Sequence, residues 1–129
     1  MTGFLYVAAG GAVGALLRYG AGLAAVRLAP NAPGLYATFS VNILGSALMG
    51  AVMAWLVSRD QSGSTDALYL LLAVGLLGGF TTFSAFSLEL AHMLRDGATV
   101  KAVIYAGASV IGGLLAFLAM FWAAERVVA

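Results

Sequence analysis

Four apolar runs, each long enough to cross a lipid bilayer, occupy nearly all of this chain of 129 residues. They lie approximately at Phe4 to Leu28, Leu35 to Val57, Ala67 to Leu94 and Val100 to Ala124. Each exceeds the roughly 20 residues that cover about 30 Å of hydrocarbon at about 1.5 Å per residue. Inside lipid every backbone N–H and C=O needs a partner within the protein, so such runs fold as helices. The linkers are short: "APNAPG", whose prolines end a helix, "SRDQSGSTD", polar and turn-rich, and "RDGAT", in which Gly97 is placed as a helix C-cap. The expected fold is an all-α membrane protein, one domain over residues 1–129, with four transmembrane helices packed up and down and no extramembrane domain.

Composition excludes the main alternatives. Hydrophobic residues make up 63% of the chain and charged residues 9%, too few polar side chains to coat a soluble globule. The absence of cysteine rules out a disulfide framework and a thiolate metal site. A net charge of +1 provides no polybasic footprint, so nucleic acid is not an expected partner, whereas membrane lipid is. The start of the chain lacks a basic n-region and its apolar run continues past the length of a signal peptide, so it reads as a retained first helix. No P-loop, HExxH, paired carboxylates or defensible Ser-His-Asp set is present, and catalysis is not expected. Glu89 and His92, about one turn apart, are too few for a metal site and read as groups near the membrane interface more readily than as a proton relay. Loop charge is nearly balanced, with Arg59 and Arg126 on one side and Arg27, Arg95 and Lys101 on the other. That balance leaves two topologies open, a weakly determined single orientation and insertion both ways with antiparallel pairing.

Polar side chains are costly in lipid unless they face a partner or a cavity. In the second run Thr38, Asn42 and Ser46 recur every four residues and share one helix face, and in the fourth Tyr105 and Ser109 do the same. The third run carries "GGFTTFSAFS", Gly78 to Ser87, with Thr81, Thr82, Ser84 and Ser87 set around Phe80, Phe83 and Phe86. No acid interrupts these stripes, so the groups they offer are hydrogen-bond donors and the positive edges of aromatic rings, which suit an anion. The competing account is that hydroxyls bond back to their own helix and the asparagine joins two helices. Gly78 and Gly79 each weaken a helix by roughly 1 kcal/mol relative to Ala, so a break is expected there. Its freed carbonyls suit a cation and the resuming helix presents phenylalanine edges. Arg18, near the middle of the first run, has three readings: a wet vestibule that attracts anions, an ion pair with Glu89, or a hydrogen bond to carbonyls of a broken helix. Small-xxx-small spacings at Gly10/Gly14, Ser46/Gly50, Gly75/Gly79, Ala108/Gly112 and Ser109/Gly113 allow close helix approach. Four helices alone cannot easily enclose a water-filled path, so transport would require an oligomer.

"GGAVGALLRYG" (residues 10–20), "TFSVNILGS" (38–46) and "GGFTTFSAFSLE" (78–89) resemble the signature blocks of the fluoride-exporting channels called CrcB or Fluc, and the likeness extends over essentially the whole chain. The resemblance implies an antiparallel, dual-topology homodimer in the bacterial inner membrane, with two pores that pass fluoride passively, exclude chloride and protect against cytoplasmic fluoride. It implies a structural sodium ion at the dimer interface, held by backbone carbonyls of Gly78 and Thr81 at the break in the third helix. It further implies a fluoride pore lined by Asn42, Phe83, Phe86, Tyr105 and Ser109, with Thr38 and Ser84 on the same polar faces. Arg18 and Glu89 correspond to the family's first-helix arginine and its acid after the phenylalanine block.

Two other classes bear on the same features. A small multidrug-resistance-like, proton-coupled transporter of cationic compounds is also a four-helix, dual-topology dimer, but it needs a membrane-embedded acid typically in the first helix, where this chain has Arg18. A non-transporting assembly subunit would pack against a larger complex and move no ion.

Overall fold

The computed structural model describes residues 2–63 and 65–128. Within them α1 spans Thr2–Leu28, α2 Pro33–Ser58, α4 Phe83–Arg95 and α5 Thr99–Val128. Between α2 and α4 lies α3, a π-helical stretch at Tyr69–Leu77 closed by a short α-helical piece at Gly78–Phe80. Four stretches are long and apolar enough to span a membrane: α1, α2, α3 with α4 (Tyr69–Arg95), and α5. The chain is an all-helical, multi-pass membrane protein, and no strand occurs among the described residues.

Local chemistry sets the ends of these elements. Pro33 sits in the first turn of α2, where its missing N–H costs no helical bond. At the end of α4, Gly97 adopts φ +74, Gly97 N donates to Leu94 O at 3.1 Å and Ala98 N to Met93 O at 2.8 Å. That is a Schellman closure, and it needs a residue without a Cβ penalty in the left-handed region. Between α3 and α4, Thr81 (φ −81, ψ 160) and Thr82 (φ −151, ψ 116) are extended. Thr82 Oγ1 accepts from Ala85 N at 3.2 Å and so caps α4.

Two glycine seams hold the bundle. A Cβ at Gly10 would overlap Leu71 O, and one at Gly14 would overlap Leu76 O, so α1 lies backbone to backbone on α3 along Gly75 and Gly79. Those two glycines of the third span are therefore occupied within the chain by α1, while Gly78 is exposed and no residue of another span comes within 4 Å of a Cβ added there. On the other flank a Cβ at Gly50 would overlap Phe117 O, Gly112 receives Ile43, and Gly113 receives Ser46, which locks α2 along α5. Phe86, Met93, Ala102 and Tyr105 form the buried cluster that joins α4 to α5. Elsewhere large apolar side chains point outward along every long helix, including Phe4, Leu16, Val100, Ile104, Ile111 and Leu115, as lipid or a second chain would require.

Candidate functional site

The polar face of α2 reaches the third span at two places. At the first, Thr82 N donates to Asn42 Oδ1 at 2.8 Å and Asn42 Nδ2 donates to Thr82 O at 3.0 Å. A backbone N–H can only donate and a C=O only accept, so these two bonds fix the orientation of the carboxamide. Asn42, Gly45, Ser46, Met49, Thr81, Thr82, Phe83 and Phe117 line an open cleft of about 300 Å³ beside the extended pair. Gly45 is where Thr81 seats: an added Cβ there would overlap the Thr81 methyl and crowd the Phe80 ring. Thr81 Oγ1 bonds back to Leu77 O at 2.9 Å and Ser87 Oγ to Phe83 O at 2.9 Å, so these two hydroxyls serve their own backbone. Ser84 Oγ lies 3.2 Å from Thr82 Oγ1.

The second place is a carboxylate clamp. Thr38 Oγ1 donates to Glu89 Oε1 at 2.7 Å and Tyr105 OH donates to Glu89 Oε2 at 2.6 Å. Thr38 and Tyr105, both expected along the pore, thus have their hydroxyl hydrogens directed at Glu89. Ser109, one turn along α5 from Tyr105, is half-buried, and its Oγ has no hydrogen-bond partner among the described residues.

Aromatic rings join the two places. Phe83 lies 5.5 Å from Phe86, Phe86 5.3 Å from Tyr105, and Tyr105 6.4 Å from Phe39, centroid to centroid, all tilted. Tilted pairs set ring edges against ring faces, leaving edges free to turn toward a neighbour. The two phenylalanines differ in setting: Phe83 is 76% exposed at the cleft and Phe86 6% exposed inside the cluster.

Arg18 resolves one of its three readings. Its Nε donates to Gly79 O at 3.2 Å, and it lines a cleft of about 510 Å³ between α1 and the start of α2 with Tyr19, Val26, Pro33 and Gly34. The ion pair with Glu89 does not form: among the described residues the only salt bridge joins Arg95 to Asp96, at the chain surface. The reason is geometric, since α1 is seated on α3 by its glycines and Glu89 is held from the α2 and α5 side by Thr38 and Tyr105.

Sequence reasoning placed Asn42, Thr38 and Ser46 on one face but did not find that Asn42 binds the backbone of Thr82. The signal was the pairing of an in-membrane asparagine with a segment expected to have unpaired backbone groups. The Thr38–Glu89–Tyr105 clamp had a weaker signal, because only the fold brings those three spans together.

The four spanning segments define an all-helical, multi-pass membrane protein, in which the Asn42 carboxamide and the extended pair Thr81–Thr82 lie beside an open, mainly apolar cleft lined by no acid. The family model described as CrcB-like protein, Camphor Resistance (CrcB), matches residues 5–121, and this chain belongs to the CrcB family. It is 53% identical over 130 residues, covering 100% of both chains, to a protein of Hyphomonas neptunium named fluoride-specific ion channel FluC. Proteins of the same name from Novosphingobium aromaticivorans and Caulobacter vibrioides are 48% identical (88% of this chain, 89% of the relative) and 45% identical (100% of both). None of these comparisons favours a proton-coupled drug transporter.

Proposed function

We propose that this chain is a fluoride-selective passive ion channel of the bacterial inner membrane that exports cytoplasmic fluoride, and that it works as an antiparallel, dual-topology homodimer. The observation that carries the reading is likeness over the full chain, at 53% identity, to a protein named as a fluoride-specific channel. The cleft chemistry supports it. Fluoride is small and strongly hydrated, so a path must replace its water with close donors and must not present a bare carboxylate. Asn42 has one amide hydrogen left after bonding Thr82 O, the Phe83 and Phe86 rings offer edges, and Ser84 and the unpartnered Ser109 offer hydroxyls. Thr38 and Tyr105 give their hydrogens to a passing anion only in exchange with Glu89. Arg18, fixed against Gly79 O, adds positive charge at the neighbouring cleft and draws anions in.

The carbonyls between α3 and α4 fit a small cation. Gly79 O is taken by Arg18 and Thr82 O by Asn42. Outside the helices' own ladders no hydrogen bond reaches Gly78 O or Thr81 O among the described residues. One chain offers too few oxygens to enclose sodium, so a second copy meeting this one across the exposed Gly78 side would complete the shell. Bound there, sodium would tie the two interrupted spans together without entering the fluoride path. As a channel the protein makes and breaks no covalent bond and is not an enzyme.

The test is fluoride efflux from liposomes holding only this purified chain, read with a fluoride electrode while a potassium ionophore balances charge, with chloride as control. Rapid fluoride release without chloride release is expected. A well-folded dimer that releases no fluoride overturns the proposal.

A further inference from the structure

In an uninterrupted helix Thr82 N–H would bond the carbonyl four residues back, Gly78 O. Here Thr81 turns extended at ψ 160, and Thr82 N–H goes instead to Asn42 Oδ1 at 2.8 Å. The same side chain closes the ring by donating to Thr82 O at 3.0 Å. Asn42 thus takes the N–H that would otherwise satisfy Gly78 O, and it does so from a different span. The consequence is that one side chain joins two features on opposite sides of the interruption: the cleft faced by Phe83, and the free carbonyl on the exposed Gly78 face.

We infer that Asn42 is a positioning residue whose carboxamide holds the third span open at Thr81–Thr82, keeping Gly78 O free for a cation and fixing where α4 and its Phe83 begin. The inference deepens the channel reading and rests on it for its link to flux. Three further contacts stabilise the arrangement. Gly45, one turn from Asn42 on α2, is the seat of the Thr81 side chain; Thr82 Oγ1 caps α4 through Ala85 N; Arg18 occupies the adjacent Gly79 O. With the carboxamide removed, the unpaired Thr82 N–H must find another acceptor, and Gly78 O is the one that regular helix geometry offers. Healing the helix in that way withdraws Gly78 O from any cation.

This role differs from that of a simple anion donor, and two readouts separate them. The first is the Thr82 amide proton resonance by NMR of the full chain in detergent. The second is the midpoint temperature of the dimer in sodium against potassium. Asn42→Ala removes both bonds, whereas Asn42→Asp keeps an acceptor for Thr82 N–H while placing a carboxylate at the cleft.

We expect sodium to stabilise the parent over potassium, and Asn42→Ala to shift the Thr82 resonance, to abolish that stabilisation and, with both bonds lost, to lower fluoride flux by about tenfold or more. Asn42→Asp should lose flux yet keep the sodium stabilisation. An unmoved Thr82 resonance in Asn42→Ala overturns the clasp, and parent-like sodium stabilisation in Asn42→Ala overturns its link to the cation. A parent that is itself indifferent to sodium overturns the sodium reading instead, and the Thr82 resonance still decides whether the clasp exists.

Discussion

Phe83 and Phe86 stand three positions apart and 5.5 Å apart ring to ring, yet they carry different burdens. Phe86 is packed among Phe83, Tyr105 and the α4–α5 cluster, so Phe86→Ala should cost about 3–5 kcal/mol of stability. Phe83→Ala, at an exposed ring, should cost about 0.5 kcal/mol or less. Denaturant unfolding in detergent checks the pair, and equal losses would contradict the difference in burial. Phe83→Ile and Phe86→Ile should both reduce fluoride flux sharply while dimers still assemble, because isoleucine keeps bulk and loses the ring edge. Glu89→Gln tests the clamp: a passive channel keeps conducting, and complete loss of all transport would favour proton coupling. At this scale the sequence was partly legible. Polar residues every four positions on α2 were readable as a face because helix periodicity is local. Their partners were not, because Asn42 meets Thr82 and Thr38 meets Glu89 across 40 and 51 residues of chain.

At the scale of the element, glycine does two separable jobs. At Gly10 and Gly14 it brings two backbones together, and the atoms nearest a side chain there are all backbone atoms of α3, which cannot swing aside. Gly14→Leu should therefore prevent α1 from seating on α3, seen as lost folded yield in size-exclusion chromatography. Gly107 has nothing within 4 Å of an added Cβ, so Gly107→Ala should be neutral or slightly stabilising. Gly97 has the same open space but φ +74, so Gly97→Ala should cost about 1 kcal/mol through backbone strain alone. Gly97 could be read from its place after a helix and before a turn, since C-capping is a local rule. The choice of Gly75 and Gly79 as the seat for α1 could not, because a small-xxx-small spacing states that something approaches without stating what. The π-helical winding of Tyr69–Leu77 left no trace in the pattern of apolar residues, which are nearly continuous there.

For the whole molecule, the absence of cysteine makes topology directly measurable. A single Asp96→Cys variant in sealed cells should label to about half with an impermeant thiol reagent if copies insert both ways. Labelling that is complete or absent would mean one orientation. The seam between α1 and α3 has a mechanical meaning as well. Side chains that interlock can change rotamer and let two helices slide, but Gly10, Gly14, Gly75 and Gly79 have no rotamers to change. At these four positions the joint has no side-chain rotamer that could change to let the helices shift. When the bilayer thins or thickens, α1 and α3 should tilt together as one rigid plate, so the strain of mismatch is borne at the outward faces while the geometry beside Thr82 stays as it was.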